Sequence, residues 1–176
     1  CAIVWEFCVS ESIFLSFCLN ICGMWGGIGD DTLYGGKGFD TLTGGAASDF
    51  LSGNRGEDIL IGEKADDTLY GGQGNDFLVG GEGNDFLSGD LGDDTLVGDV
   101  GSDRFLLSTN SGIDTIDDFE VGQDLLVLGN GLSFSQLAIA QDSGSTLIRF
   151  AQTGEILASL AGVSASSISA ANFGLI

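Results

Sequence analysis

The middle of the chain alternates between glycine-rich polar positions and apolar positions with a period of nine residues. Residues 26–106 divide into nine units without an insertion, each with glycine first, aspartate sixth and, in eight units, leucine eighth. Strand-forming residues fill most seventh to ninth positions, whereas glycine is concentrated in the first six. The pattern therefore predicts one very short strand per unit, with the eighth residue facing inward, followed by a turn. Because a three-residue strand is not stable alone, successive units must stack.

The repeat resembles the hemolysin-type, or RTX, calcium-binding nonapeptide, whose consensus is G-G-x-G-x-D-x-U-x. The clearest copies are GGQGNDFLV and GGEGNDFLS, and the match covers 81 of the 176 residues. The resemblance implies that two units make one full coil, so that odd and even units form opposite sheets. We therefore expect an all-β fold, a parallel β-roll (a β-solenoid of nonapeptide repeats) with a C-terminal β-rich cap.

Aromatic residues in the odd units offer an independent check on this stacking. They alternate between the ninth and seventh positions of successive odd units, as Tyr34, Phe50, Tyr70 and Phe86. This 36-residue super-period is expected if units two apart are neighbours. Recent duplication of the sequence would explain it equally well.

The array divides the chain into three predicted segments: an apolar N-terminal segment at 1–25, the repeats at 26–106, and the C-terminal region at 107–176. The first segment has no Lys or Arg, unlike a signal peptide, and two glutamates interrupt it, unlike a transmembrane helix. We expect it to be the start of a fragment or an artefact. All four cysteines lie there, so the remaining chain is expected to fold without disulfides.

The C-terminal region is expected to cover the open edge of the last unit, because exposed strand edges recruit other chains. Its pattern predicts short strands at 124–128, 136–140, 145–150 and 155–160. In the RTX family, the region beyond the repeats also carries a signal read by type I secretion machinery. The resemblance therefore implies that machinery as a second partner beside calcium ions.

Charge and composition narrow the function classes. Five Lys and Arg against 26 Asp and Glu give a formal charge of −21, which repels nucleic acid and anionic membranes and makes cations the expected partners. The absence of histidine excludes Ser-His-Asp and Cys-His nucleophile systems and His-bound zinc. The chain also lacks an HExxH motif, so no enzyme activity and no small-molecule substrate are expected.

The invariant aspartates are the candidate metal ligands. On the predicted stacking they form two columns, Asp31, Asp49, Asp67, Asp85 and Asp103 on the odd edge and Asp40, Asp58, Asp76 and Asp94 on the even edge. Carboxylates about 5 Å apart repel by roughly 0.8 kcal/mol in water and about 3 kcal/mol at an effective dielectric of 20. An all-oxygen, flexible ligand set suits Ca²⁺. Four neighbouring pairs on one edge and three on the other predict up to seven calcium sites.

The RTX resemblance implies that backbone carbonyls of the turns complete each site. In the most regular copies these belong to Gly71, Gln73, Gly74, Gly80, Glu82, Gly83 and Gly89. The third to fifth units depart from the consensus at Ala46, Ala47, Ser48, Asn54, Glu63 and Ala65, which predicts either strained turns or turns without a bound ion there. The fifth-position residues Asp30, Asp66, Asn75, Asn84 and Asp93 are interpreted as turn formers that tolerate a left-handed backbone.

Together these features favour a secreted, extracellular, non-catalytic module that binds Ca²⁺ and folds with it, as the C-terminal part of a larger protein. Two alternatives stay open. One is a calcium-stabilised adhesin or surface-layer module, suggested by the aromatic residues Tyr34, Phe50, Phe77 and Phe86. The other is the C-terminal remnant of an RTX protease or lipase whose catalytic domain lies outside this chain.

Overall fold

The computed structural model describes residues 14–15 and 23–175, and this part of the chain is almost entirely β-strand. Most of the apolar segment predicted at 1–25 lies outside the described residues. The strands are β1 (Phe14–Leu15), β2 (Gly23–Ile28), β3 (Thr32–Lys37), β4 (Thr41–Ala46), β5 (Phe50–Arg55), β6 (Ile59–Lys64), β7 (Thr68–Gln73), β8 (Phe77–Glu82), β9 (Phe86–Leu91), β10 (Thr95–Val100), β11 (Arg104–Leu107), β12 (Asp114–Ile116), β13 (Leu125–Leu128), β14 (Leu137–Asp142), β15 (Ser145–Phe150), β16 (Ile156–Ala161) and β17 (Phe173–Leu175). Three short 3₁₀ helices occupy Phe134–Gln136, Ala165–Ser167 and Ala170–Asn172. None of the described helices has the length and apolar character needed to cross a bilayer.

Two parallel sheets face each other, as expected for a β-roll. One has the strand order β1-β3-β5-β7-β9-β11-β13-β17, and the other has the order β14-β15-β16-β12-β10-β8-β6-β4-β2. Within the repeats, paired residues lie 18 positions apart, as in Thr32 opposite Phe50. Units two apart are therefore neighbours, and the prediction of two units per coil is confirmed.

The repeat strands are longer than the sequence pattern predicts. Strands β3 to β10 each run for six residues, from the seventh position of one unit to the third position of the next, whereas β11 has four. In β7, for example, the side chain of Leu69 and the glycine Gly71 both face the interior, which continues the period-two alternation through the glycines. The predicted three-residue strand was wrong because the first glycine of each unit is a buried strand position, so the turn is confined to three residues.

One apolar side chain from each repeat strand forms the core between the sheets. These residues are 0–2 % exposed and are Leu33, Leu42, Leu51, Leu60, Leu69, Leu78, Leu87, Leu96 and Phe105. The same ladder continues beyond the repeats with Leu107, Ile116 and Leu126. Full burial of a leucine side chain contributes about 1.5–3 kcal/mol, so this column is a major source of stability.

The aromatic residues of the odd units form a ladder on the outer face of the first sheet. Ring centroids lie 5.8 Å apart between Tyr34 and Phe50, 5.6 Å between Phe50 and Tyr70, and 5.8 Å between Tyr70 and Phe86. The guanidinium of Arg104 lies 5.5 Å from the Phe86 ring centroid. Alternation between the ninth and seventh positions thus places each ring diagonally against the next, where tilted contacts stabilise neighbouring strands.

Both sheets continue into the C-terminal region. Strands β12 and β13 pair in parallel with β10 and β11, and they in turn pair with β16 and β17. β14, β15 and β16 form an antiparallel meander at the end of the second sheet. The strands predicted at 124–128, 136–140, 145–150 and 155–160 correspond to β13 to β16 with shifts of one or two residues.

Truncation of a core leucine is expected to cost more than truncation of an exposed one on the same sheet. Leu69→Ala removes a fully buried side chain and should lower the free energy of unfolding by about 2–5 kcal/mol. Leu91→Ala is the control, because Leu91 is 50 % exposed and should change it by less than about 1 kcal/mol. Urea unfolding at saturating calcium measures both values. Equal losses in the two variants would contradict the described core.

Candidate metal centre

The nine sixth-position aspartates lie in two buried columns, one along each edge of the roll. Each carboxylate is at most 3 % exposed. In the seven aspartates from Asp49 to Asp103, the Oδ1 atom accepts a hydrogen bond from the backbone N–H of the aspartate one coil earlier, at 2.7 or 2.8 Å. These bonds bring together Asp31 and Asp49, Asp40 and Asp58, Asp49 and Asp67, Asp58 and Asp76, Asp67 and Asp85, Asp76 and Asp94, and Asp85 and Asp103. All seven predicted pairs are therefore neighbours in the structure.

The second carboxylate oxygen has no hydrogen-bond partner in the seven column aspartates from Asp49 onward. The Oδ2 atoms of Asp49, Asp58, Asp67, Asp76, Asp85, Asp94 and Asp103 are buried and make no hydrogen bond. An uncompensated buried ionised carboxylate costs several kcal/mol. A hard cation between successive coils would satisfy such oxygens, so the residues present fit calcium.

The invariant glycine and the invariant aspartate of each unit are in direct contact. A Cβ atom built on the first glycine of any unit would lie 2.0–2.8 Å from Oδ2 of the aspartate five residues later. At Gly71, for example, the distance to Asp76 Oδ2 would be 2.5 Å, closer than real Cβ contacts allow. Glycine is thus required at this position for steric reasons, because the carboxylate packs on its Cα atom.

Burial raises the pKa of the seven column carboxylates from Asp49 to Asp103, and repulsion from nearby carboxylates adds to the effect in most of them. Removal from water is the largest cause, and it raises the pKa of Asp67, Asp76 and Asp103 to about 7 and that of Asp49, Asp58 and Asp85 to about 6. The backbone hydrogen bond to each carboxylate acts in the opposite direction without cancelling the rise. Protons and cations therefore compete for the same oxygens near neutral pH.

The backbone carbonyls expected as ligands lie along the same edges. The carbonyl oxygens of Gly71, Gly80 and Gly89 would lie 2.5–2.8 Å from Cβ atoms built on the first-position glycines of the previous coil, Gly53, Gly62 and Gly71. Those of Gln73 and Glu82 accept hydrogen bonds from Gly56 N at 2.7 Å and Ala65 N at 2.6 Å. Those of Gly74 and Gly83 point at the turns of Gly92 and Gly101 in the next coil. Their coordination of calcium stays a prediction.

No group of three or more Cys, Asp or Glu side chains in the described residues converges as a metal-binding cluster. Each predicted site therefore has two carboxylates at most. Because Ca²⁺ takes six to eight oxygen ligands, the remaining ligands of a site would have to be backbone carbonyls and water.

Four of the turn residues that depart from the repeat consensus have a left-handed backbone. Positive φ values are found at Ala47 (85°), Asn54 (74°), Glu63 (79°) and Ala65 (75°), where the regular copies have glycine. Asp90 and Asp99 occupy the same second position with φ of 68° and 64°, and the sequence analysis did not single them out. A left-handed conformation costs a residue with a side chain roughly 1–2 kcal/mol, so strain is concentrated in these turns.

The fifth-position residues form a separate, exposed ladder between coils. Asp66 Oδ1 accepts a hydrogen bond from Asn84 N at 2.7 Å, and Asn75 Oδ1 accepts one from Asp93 N at 3.0 Å. Asp30, Asn84 and Asp93 make the equivalent bonds to the next coil. The prediction that these residues adopt a left-handed backbone was wrong, because none of them has a positive φ. They connect successive turns through their side chains instead.

Two further aspartates extend the columns, and the sequence analysis missed them. Asp114 and Asp124 are 2 % and 3 % exposed, and they accept hydrogen bonds from Asp94 N and Asp103 N. A signal was present, because GIDTI at 112–116 and GQDLL at 122–126 keep the G-x-D-x-U part of the repeat. Asp114 lies 11 residues after Asp103, and Asp124 lies 10 residues after Asp114, so the nine-residue period is broken.

Two facing parallel sheets with buried aspartates along both edges define the class of protein as a parallel β-roll with a calcium-type ligand set. The RTX calcium-binding nonapeptide repeat matches the chain in four overlapping windows, at residues 25–60, 43–78, 52–87 and 70–105. Together these windows cover residues 25–105, and Ca²⁺ is the expected ligand of the repeats that they match.

Solved structures similar to the chain include two bacterial proteins. A repeat subunit of the mannuronan C5-epimerase from Azotobacter vinelandii is 27 % identical, with 65 % of this chain and 80 % of that chain covered and a TM-score of 0.28. The extracellular lipase LipA from Serratia marcescens is 19 % identical, with 96 % of this chain but 40 % of the lipase covered and a TM-score of 0.43. No curated protein sequence matches the chain.

Replacement of a strained alanine by glycine is expected to stabilise the roll. Ala65→Gly relieves a positive φ of 75° and should raise the free energy of unfolding by about 1 kcal/mol. The matched control is Ala138→Gly in β14, which has an ordinary strand backbone and should be destabilised by about 0.5–1 kcal/mol. Urea unfolding at saturating calcium compares the two. A loss of stability in Ala65→Gly would contradict the turn geometry.

The calcium-free roll is expected to be more stable at acidic than at alkaline pH. The folded-state pKa of Asp67, Asp76 and Asp103 is about 7, above the usual 3.8, so the folded chain binds more protons between pH 4 and 7. The strand content in chelator, measured by circular dichroism, should therefore increase as the pH falls from 8 to 5. A decrease over this interval would contradict the raised pKa values.

Proposed function

We propose that the chain is an extracellular module whose folding is driven by Ca²⁺ after type I secretion. Calcium binding itself follows from the repeat family, and RTX repeat proteins are typically secreted. The observation that carries the proposal is the set of buried Oδ2 atoms without hydrogen-bond partners, such as those of Asp67, Asp76 and Asp85. Without a cation, these charges oppose the fold in which they are buried.

The nine column aspartates, Asp31 to Asp103, are proposed to hold calcium between successive coils together with turn carbonyls. Each ion would be shared by two coils, so no single unit could form its site before stacking. Metal binding and folding would then be one equilibrium. The carboxylates' repulsion, about 3 kcal/mol per neighbouring pair at an effective dielectric of 20, would become attraction through the shared ion.

This coupling suits a protein that is exported unfolded. Low cytosolic calcium would leave the acidic chain extended, and the millimolar calcium outside the cell would exceed the affinity of about 10⁻⁴ to 10⁻³ M that is usual for extracellular modules. The proposed division has a roll at 26–106 and a C-terminal region at 107–176 that closes it. We propose that the latter also takes part in recognition by the secretion machinery, and that the module is the C-terminal part of a larger secreted protein.

The module itself is proposed to be non-catalytic. RTX repeat modules typically are, and catalysis would belong to another part of a larger product. The adhesin alternative gains no support from the four aromatic residues on which it was based. Tyr34, Phe50 and Phe86 belong to the ring ladder of one sheet, whereas Phe77 lies on β8 in the other sheet. They do not form one surface.

Calcium titration of the folding transition tests the proposal. Circular dichroism at pH 7.5 should show little strand in chelator and a cooperative gain of strand with added calcium. Asp76→Asn should raise the calcium concentration at the midpoint by about tenfold, equivalent to about 1.4 kcal/mol. The control is Asp117→Asn, which removes an equal charge at an exposed position outside the columns. A strand-rich spectrum that chelator leaves unchanged would refute the proposed folding switch.

A further inference from the structure

The coil geometry continues for two strands beyond the last nonapeptide. Thr115 N donates to Asp94 O at 2.8 Å and Leu125 N donates to Asp103 O at 2.8 Å, as Thr95 N donates to Asp76 O at 2.9 Å inside the repeats. The residues opposite each other in the paired strands, Thr95 with Thr115 and Arg104 with Leu125, are 20 and 21 positions apart instead of 18. The extra residues are accommodated in the preceding turns, so the stacking of the strands is preserved.

Asp114 and Asp124 occupy the place of the sixth-position aspartate in these two added strands. Asp124 Oδ1 accepts a hydrogen bond from Asp103 N at 3.0 Å, and Asp114 Oδ1 accepts a longer one from Asp94 N at 3.4 Å. Both carboxylates are as deeply buried as those of the repeats. The two columns therefore each gain one member that lies outside the matched repeat windows.

The last repeat aspartates provide independent evidence that something is bound at these places. Oδ2 of Asp94 and Oδ2 of Asp103 are buried and have no hydrogen-bond partner, like those of the earlier coils. If the columns ended with the repeats, the protein would be expected to satisfy these two atoms itself at its last coil. It instead brings another buried carboxylate against each of them.

We propose that Asp94 with Asp114, and Asp103 with Asp124, bind two further Ca²⁺ ions that join the roll to the C-terminal region. This inference rests on the proposed function of the columns and adds two sites to the seven predicted from the repeats. Its structural consequence follows from the sheet order, because β16 pairs with β12 and β17 pairs with β13. The two ions would therefore stabilise β12 and β13, the strands with which β16 and β17 of the C-terminal region pair.

The two added sites differ from each other. At the odd edge, Asp124 Oδ2 accepts a hydrogen bond from Glu120 N at 2.8 Å, so the backbone satisfies the second oxygen of the last carboxylate in that column. At the even edge, Asp114 lines a cavity of about 310 Å³ together with Asp90, Asn110, Ser111 and Asn130. Side-chain oxygens and water from this cavity are available to a cation there. The even-edge ion is thus expected to exchange with solvent faster than the ions within the roll.

Calcium stoichiometry of the full chain tests the inference. Native mass spectrometry at saturating calcium should show one ion fewer in Asp114→Asn, one fewer in Asp124→Asn, and two fewer in the double variant than in the unaltered chain. Asp117→Asn and Asp142→Asn are matched controls at exposed positions and should lose none. If both column variants keep the full count, the inference is overturned.

Hydrogen exchange of the unaltered chain provides a test that does not depend on the variants folding. Added calcium should slow exchange at the amides of Thr115 and Leu125 in parallel with those of Thr95 and Arg104. Protection of the repeat amides alone, with the other two unchanged, would overturn the inference while leaving the proposed function intact. If the chain binds no calcium at all, the proposed function fails first, so the two failures are distinguishable.

Discussion

The burial of stacked carboxylates is the constraint on which the rest of this structure depends. Each coil adds two aspartates to columns in which one oxygen is held by the backbone and, from Asp49 to Asp103, the other has no hydrogen-bond partner. Core leucines alone do not remove that cost, because the desolvation of a buried carboxylate is of the same order as the gain from a buried leucine. The fold is therefore linked to whatever neutralises the columns. The ligand chemistry and the repeat family both indicate calcium.

The same constraint explains why two positions never vary while the others do. The carboxylate of Asp76 packs on Gly71, so a side chain at the glycine would occupy the space of the buried Oδ2 atom. Glycines at the second and fourth positions approach the backbone of the previous coil instead, since a Cβ atom on Gly72 would lie 2.4 Å from Asn54 O and one on Gly74 1.8 Å from Gly56 O. Where these positions carry Asn54, Glu63 or Ala65, the backbone has a positive φ of 74–79°.

Much of this architecture could be predicted from the sequence, because a strict period converts directly into stacking. The nine-residue spacing was sufficient to place the core leucines, and the RTX resemblance, which implies two units per coil, was needed to pair Asp67 with Asp85. The strand length could not be predicted from the period, because glycine at the first position is typical of turns. Only the structure shows that this glycine lies in a strand, packed against the aspartate five residues later. Asp114 and Asp124 were missed for the opposite reason, since the structure keeps the coil geometry after the sequence has lost the period.

A crystal structure of the calcium-loaded chain, with anomalous diffraction to locate the ions, tests the central claim most directly. The account predicts anomalous peaks between the aspartates of successive coils along both edges, with calcium to oxygen distances of about 2.3–2.6 Å. A well-ordered roll at neutral pH with no peak between those carboxylates would contradict it.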